Sequence, residues 1–139
     1  LAANEGMRQS VRKYCENGGR VLAECGGMMY LCDTITDGDG KVYPMAGVLK
    51  QGATMEQMKL KLGYREVRVN GQRIRGHEFH YSRILPANEK IPVIGTIYNA
   101  KDMVVDTPVY TYKNVLASYI HFYWGECGID HFLMLMSQK

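Results

Sequence analysis

A mixed α/β domain is what this sequence predicts, on three observations. The first thirty or so residues run from an amphipathic stripe through a short apolar segment and across a Gly-Gly turn into a second apolar stretch. Helix, strand, sharp turn, helix is the order that builds an α/β layer. Asn70-Gly71 separates two long runs in which charged and apolar residues alternate, the strongest short-range hairpin signal. Finally, 139 residues at 46% hydrophobic and 22% charged make one domain with a sizeable core, neither disordered nor two large units.

Each element follows from its local pattern. Met7, Val11, Tyr14 and Cys15 recur at i, i+4, i+7 and i+8, one apolar stripe of an opening helix. Asn17-Gly18-Gly19 ends it, because glycine accepts the left-handed conformation just past a helix. Arg20 to Glu24 is short and largely apolar, as a strand buried in a parallel sheet is. Met28 to Cys32 is apolar all round and predicts a short buried helix. Asp37-Gly38-Asp39-Gly40 is a turn cluster. Met58 to Val69 and Arg73 to Ile84 are the two arms of the hairpin, and Ile94 to Asn99, Val104-Val105, Val109 to Tyr112 and Val115 to Tyr119 are further short strands. Ile129, Phe132, Leu133 and Met136 return to helical spacing and predict a terminal helix. No repeat, linker or low-complexity tract divides residues 1–139, which read as a single domain.

Composition excludes several functions. Lys plus Arg is 17 and Asp plus Glu is 14, a net charge of +3, too mild for nucleic acid or an anionic membrane as the main partner. No apolar run approaches the roughly 18 residues of a membrane span, and Leu1 to Met7 carries no signal-peptide pattern. Cys15, Cys25, Cys32 and Cys127 are scattered, without a C-x-x-C pair or a neighbouring His, so neither a disulfide framework nor a structural zinc site is expected. Free thiols in a reducing, cytoplasmic setting are the economical reading. Asp33, Asp37 and Asp39 lack calcium-loop spacing and read as a polar turn. Arg65, Arg68, Arg73, Arg75 and Arg83 surround the hairpin; they read as a solvated face or as a surface for a polycarboxylate. Tyr110, Tyr112, Tyr119, Tyr123 and Trp124 read as packing for the sheet.

The chemistry centres on Val21-Leu22-Ala23-Glu24-Cys25-Gly26-Gly27-Met28. A strand entering a helix through one nucleophilic residue needs a tight turn, which small residues two before and two after it allow, here Ala23 and Gly27. The turn would lift the sulfur of Cys25 above the sheet. At a helix N-terminus, backbone N–H groups and the dipole favour thiolate, and the amide of Gly26 would point at a tetrahedral oxyanion. The alternative is a buried structural cysteine beside a Gly-Gly turn. A nucleophilic thiol needs a proton partner. His121 ends the predicted strand Val115 to Tyr119, and the carboxyl ends of parallel strands share one sheet edge, so it is the candidate base. The competing reading is a histidine satisfied by backbone at a strand terminus. His131 reads as a surface residue of the terminal helix.

These residues also carry a resemblance. Ala23-Glu24-Cys25-Gly26-Gly27-Met28-Met29-Tyr30-Leu31, Gly76-His77-Glu78-Phe79-His80-Tyr81-Ser82 and Ala117-Ser118-Tyr119-Ile120-His121 resemble, in order, three motifs of the cobyrinic acid a,c-diamide synthase family. Pro44 to Leu49 resembles a fourth, weaker segment. The match is to the family's C-terminal class I glutamine amidotransferase-like domain and covers essentially the whole chain. Glu24 before the nucleophile is similar to this family rather than to cobyric acid synthase, which usually has an apolar residue there.

The resemblance implies a flavodoxin-like three-layer sandwich with a mixed, largely parallel sheet and a β-hairpin insertion. It implies Cys25 as nucleophile on the glutamine amide, His121 as general base and acid, Gly26 as oxyanion donor, and Glu78, His80, Tyr81 and Ser82 as substrate-binding residues. It implies release of ammonia to amidate two carboxylates of a corrinoid precursor, with ATP and Mg2+ bound in a separate N-terminal synthetase domain and no metal in this part. The same chemistry on nickel-sirohydrochlorin, and a non-catalytic docking module, are the alternatives. Two departures stand out. Class I amidotransferases commonly carry Glu two positions after the catalytic histidine, where this chain has Tyr123; what orients His121 is thereby open, and Glu126 is too weakly placed to nominate. The family domain also begins with strands and a Gly-rich loop that do not precede Leu1, so the expectation is an N-terminally truncated piece, inactive alone in the full reaction, with exposed edges that favour self-association such as a homodimer.

Overall fold

The computed structural model describes residues 1–127 and residue 130. The chain opens with helix α1 (Glu5–Glu16), whose first turn is capped by Asn4 Oδ1 accepting from Met7 N at 3.0 Å. Strand β1 (Val21–Glu24) leads through Cys25 into helix α2 (Gly26–Leu31), which passes directly into β2 (Cys32–Thr36). Then come β3 (Val42–Pro44), β4 (Leu49–Thr54), β5 (Lys61–Val69), β6 (Gln72–His80), β7 (Arg83–Ile84), β8 (Thr96–Tyr98), β9 (Val109–Tyr112), β10 (Val115–Ser118), β11 (His121–Phe122) and α3 (Trp124–Cys127).

The described strands form three sheets, ordered β1-β10-β9, β11-β6-β5-β8 and β3-β2-β4-β7. The mixed α/β class is as expected. The balance within it differs: β1–β10 and β2–β4 are parallel, and the other ladders are antiparallel. The reason is that the chain from Leu49 to Phe122 advances by turns and short connections, and parallel pairing needs a long crossover. The hairpin runs in unbroken register from Lys61↔His80 to Val69↔Gln72 around Asn70-Gly71, both at positive φ as a two-residue turn requires. Its second arm stops at His80 rather than continuing to Ile84; Arg83–Ile84 leaves the hairpin to pair with β4. Asp37 organises its turn by accepting from Asp39 N and Lys41 N, both at 2.9 Å.

Two apolar clusters hold the site in place. One joins Val67, Ile74 and Ile97 of the hairpin sheet to Val109, Leu116, Ile120 and Phe122. The other joins Cys15 of α1 and Met28 and Leu31 of α2 to Ala23, Val115, Ala117 and Tyr119, with Ala46, Val48 and Leu49. The α1 stripe is narrower than its spacing suggests. Cys15 is buried and Val11 packs on the core, but Met7 and Tyr14 are exposed. The expected helix from Ile129 to Met136, with His131, lies outside the described residues. No helix among the described residues is long and apolar enough to cross a membrane.

Candidate active site

Cys25 sits where β1 turns into α2, with φ 51° and ψ −108°. An L-residue is strained there, at a cost of about 1–3 kcal/mol that surrounding structure must offset. Two contacts hold it: Cys25 N donates to Ser118 O at 2.8 Å and Met29 N donates to Cys25 O at 3.1 Å. A Cβ on Gly27 would stand 3.6 Å from Ala23 Cβ, so side chains larger than this at both flanking positions would collide. Gly26 has open space around its Cα and contributes its N–H, which donates to the Cys25 sulfur.

The thiol departs from the expectation of a stabilised thiolate. Burial pushes its pKa up, the Gly26 N–H acts the other way, and the negative charge of Glu78 pushes it up further. A six-residue helix does not outweigh removal of the sulfur from water. Cys25 therefore rests as a thiol that needs a base.

His121 does not end the strand that neighbours the elbow: β10 stops at Ser118, and His121 opens β11 in the hairpin sheet. The parallel register pairs Glu24 with Ser118, and Ser118 Oγ braces the next turn by donating to Pro108 O at 2.9 Å and accepting from Ile120 N at 3.2 Å. The chain then enters β11, where His121 pairs with His77 and Phe122 with Gly76 of β6. Beside the elbow, Glu24 Oε2 accepts from Phe122 N at 2.7 Å. Cys25 and His121 thus lie on chain segments joined by one carboxylate.

The expected substrate-binding residues differ in burial. Glu78, His80 and Ser82 are buried and cooperate. Arg65 Nε and Thr107 Oγ1 donate to Glu78 Oε1 at 2.7 and 2.8 Å, and His80 Nε2 lies 2.7 Å from Glu78 Oε2. His80 Nδ1 faces Ser82 O at 2.8 Å, and its ring stacks on Tyr119 with centroids 3.6 Å apart. Ser82 Oγ is 2.9 Å from the Tyr119 hydroxyl and 3.3 Å from Met29 Sδ of α2. Burial opposes ionisation of Glu78, yet its bonds with His80, Thr107 and Arg65 prevail and hold its pKa at about 2. Tyr81 is exposed, with its ring edge-on to Phe79. It lies just past the end of β6 and is open to solvent where Glu78 and His80 are buried, although all three line one cavity.

Glu78, His80, Tyr81 and Ser82 line a cavity of about 670 Å3 with Lys61, Thr107, Tyr110 and Tyr119, among others. Neither Cys25 nor His121 lines it. The connection to the elbow runs through Met29, Ser82 and Glu78. Arg65, grouped by sequence with the exposed arginines, is buried as the partner of Glu78, while Arg68 pairs with Glu66 and Asp102 and lies over the Tyr98 ring. Sequence reasoning assigned no site role to Glu24, His77 and Tyr119, which lie within the motifs, or to Arg65 and Thr107, which lie outside them. Period-two alternation in β6 separates His77 from Glu78; the partners across the fold leave no local signal.

The CobB/CobQ-like glutamine amidotransferase domain model matches residues 1–128. Cobyrinate a,c-diamide synthase of Caldanaerobacter subterraneus subsp. tengcongensis is 35% identical over 151 residues, covering 96% of this chain and 31% of the relative. Hydrogenobyrinate a,c-diamide synthase of Streptomyces coelicolor is 39% identical over 133 residues, covering 90% and 25%. Cobyrinate a,c-diamide synthase of Salmonella typhimurium is 30% identical over 134 residues, covering 91% and 29%. The chain spans between a quarter and a third of these relatives' lengths. In fold it is similar to a crystallised Thermoplasma acidophilum protein assigned to GMP synthase, at 13% identity and a TM-score of 0.50 over 94% of this chain and 64% of the other. A strained cysteine elbow, a histidine strand tied to it and a match over residues 1–128 lead to one conclusion: the chain belongs to the CobB/CobQ-like glutamine amidotransferase domain family.

Proposed function

We propose that this chain hydrolyses glutamine for an ATP-dependent amidotransferase that converts the a and c side-chain carboxylates of cobyrinate, or of its metal-free counterpart, into amides. The observation that carries the reading is Cys25, held at φ 51° at the strand–helix turn beside the segment that brings in His121. The Cys25 sulfur attacks the side-chain carbonyl of glutamine as His121 takes the thiol proton. The carbonyl oxygen gains negative charge facing the Gly26 N–H, a donor of the kind worth about 100- to 1,000-fold in rate. Collapse breaks the C–N bond, the nitrogen leaves as ammonia with the proton from His121, and water then releases glutamate from the thioester. The raised thiol pKa fits this sequence, since proton transfer to His121 is needed to make the nucleophile.

The acceptor follows from relatives named for cobyrinate and for hydrogenobyrinate. Both are tetrapyrrole carboxylates, and both need activation by ATP and Mg2+, which this proposal assigns to a synthetase part beyond these residues. Among the described residues no group of three His, Cys, Asp or Glu side chains converges to hold a metal.

The test is covalent labelling with 6-diazo-5-oxo-L-norleucine, mapped by mass spectrometry with and without glutamine. Modification confined to Cys25 and suppressed by glutamine is expected. Equal labelling of Cys15, Cys32 and Cys127, or no protection by glutamine, would overturn the reading in favour of a docking module.

A further inference from the structure

We propose that Glu24 and His77 together position the imidazole of His121, in place of the carboxylate that usually orients a catalytic base. This rests on the reading of Cys25 and His121 as the reacting pair. A base is normally fixed by a hydrogen bond from a third group. Here the residue two after His121 is Tyr123, and among the described residues no carboxylate bonds to the His121 ring.

Two other contacts take over. Glu24 directly precedes Cys25, and its Oε2 accepts from the backbone N–H of Phe122, which directly follows His121, at 2.7 Å. One side chain therefore ties the main chain beside the nucleophile to the main chain beside the base, across the gap between two separate sheets. That bond fixes where the His121 backbone lies. The ring is fixed by His77, its register partner on β6: the imidazoles stack with centroids 5.2 Å apart and planes 22° from parallel. Tyr123 packs against the same His77 ring, with centroids 5.7 Å apart. The approach of β11 to β6 depends on Gly76, where a Cβ would run into the carbonyl of His121 and the side chain of Ile120.

The two contacts make separable demands. Glu24 must accept a hydrogen bond, which a glutamine carbonyl also does, whereas leucine cannot. His77 must present a flat ring, which phenylalanine also does, whereas alanine cannot. The experiment compares Glu24→Gln, Glu24→Leu, His77→Phe and His77→Ala with the unaltered chain. It reads the imidazole carbon and nitrogen NMR signals of His121, and glutamine hydrolysis as kcat and KM.

Expected are displaced, averaged His121 signals in Glu24→Leu and His77→Ala, with kcat down about 10- to 100-fold, the scale of an ångström-sized misplacement, and little change in KM. The glutamine and phenylalanine variants should retain both the signals and kcat. His121 signals unchanged in both truncating variants overturn the proposal, and so do conservative variants as damaged as the truncating ones. His77 is exposed, so its variants test the ring contact even if Glu24→Leu fails to fold. An unaltered chain that hydrolyses no glutamine yet shows ordered His121 signals that loosen on substitution refutes the glutaminase reading alone.

Discussion

At the end of β1 one residue, Cys25, is held in a backbone conformation that disfavours it, with a half-buried thiol whose pKa is pushed up. In β6, Glu78 is more deeply buried and also charged, yet its pKa lies far down, because Arg65, Thr107 and His80 bond to it. The elbow concentrates backbone strain and a poorly stabilised thiol on one residue. The hairpin network surrounds its charge with partners and leaves nothing reactive. The difference shows how the domain divides its labour: a rigid, saturated polar core supports the cavity beside an elbow that is kept poised. Glu78 links the two, since its charge discourages a resting thiolate at Cys25.

The network should break most severely. Replacing Glu78 with alanine strands Arg65 in the core and should remove about 3–5 kcal/mol of stability, as loss of one partner from a buried pair does, read by urea denaturation. Acid should act on the same carboxyl. Its pKa is about 2 when folded against an ordinary value of 4.5, so the folded state binds fewer protons between those values. The stabilisation is complete above about pH 4.5 and is lost as pH falls toward 2. A stability profile flat across that window in the native chain would contradict the pairing.

The elbow should respond in the opposite sense. Cys25→Gly should be more stable than Cys25→Ala by about 1–3 kcal/mol, because glycine relieves the positive-φ strain; equal melting curves would mean the turn is unstrained. The smallest effect sharpens the electrostatic side. The pH midpoint for alkylation of Cys25 by iodoacetamide should lie above that of a free cysteine, and a midpoint below it would show that the Gly26 N–H outweighs burial and Glu78.

Much of this was legible in the residues. The helix–strand–turn–helix opening, the Asn70-Gly71 hairpin and strands β9 and β10 follow from periodicity and turn chemistry, which are local. The motif around Cys25 announced its turn because small residues at 23 and 27 are a local requirement. Strands β2, β3 and β4 had no such signature: Cys32 continues the apolar run of α2, and Leu49 to Thr54 alternates too weakly to stand out. Their pairing, including the parallel ladder of β2 with β4, is a long-range outcome. The same holds for Arg65. Nothing on its own strand distinguishes it from Arg68, and only the fold sets it opposite Glu78.

By itself, then, the sequence determined the α/β class, the elbow cysteine and a histidine just past the strand that neighbours the elbow, because each is written in spacing, turn residues and ordered motifs. The tertiary structure alone decided that Cys25 rests as a thiol, that Glu78 is an ion held by three partners, and that Glu24 and His77 meet the chain around His121. Those outcomes depend on burial and on distances between residues far apart in the chain, and such quantities exist only once the strands have packed.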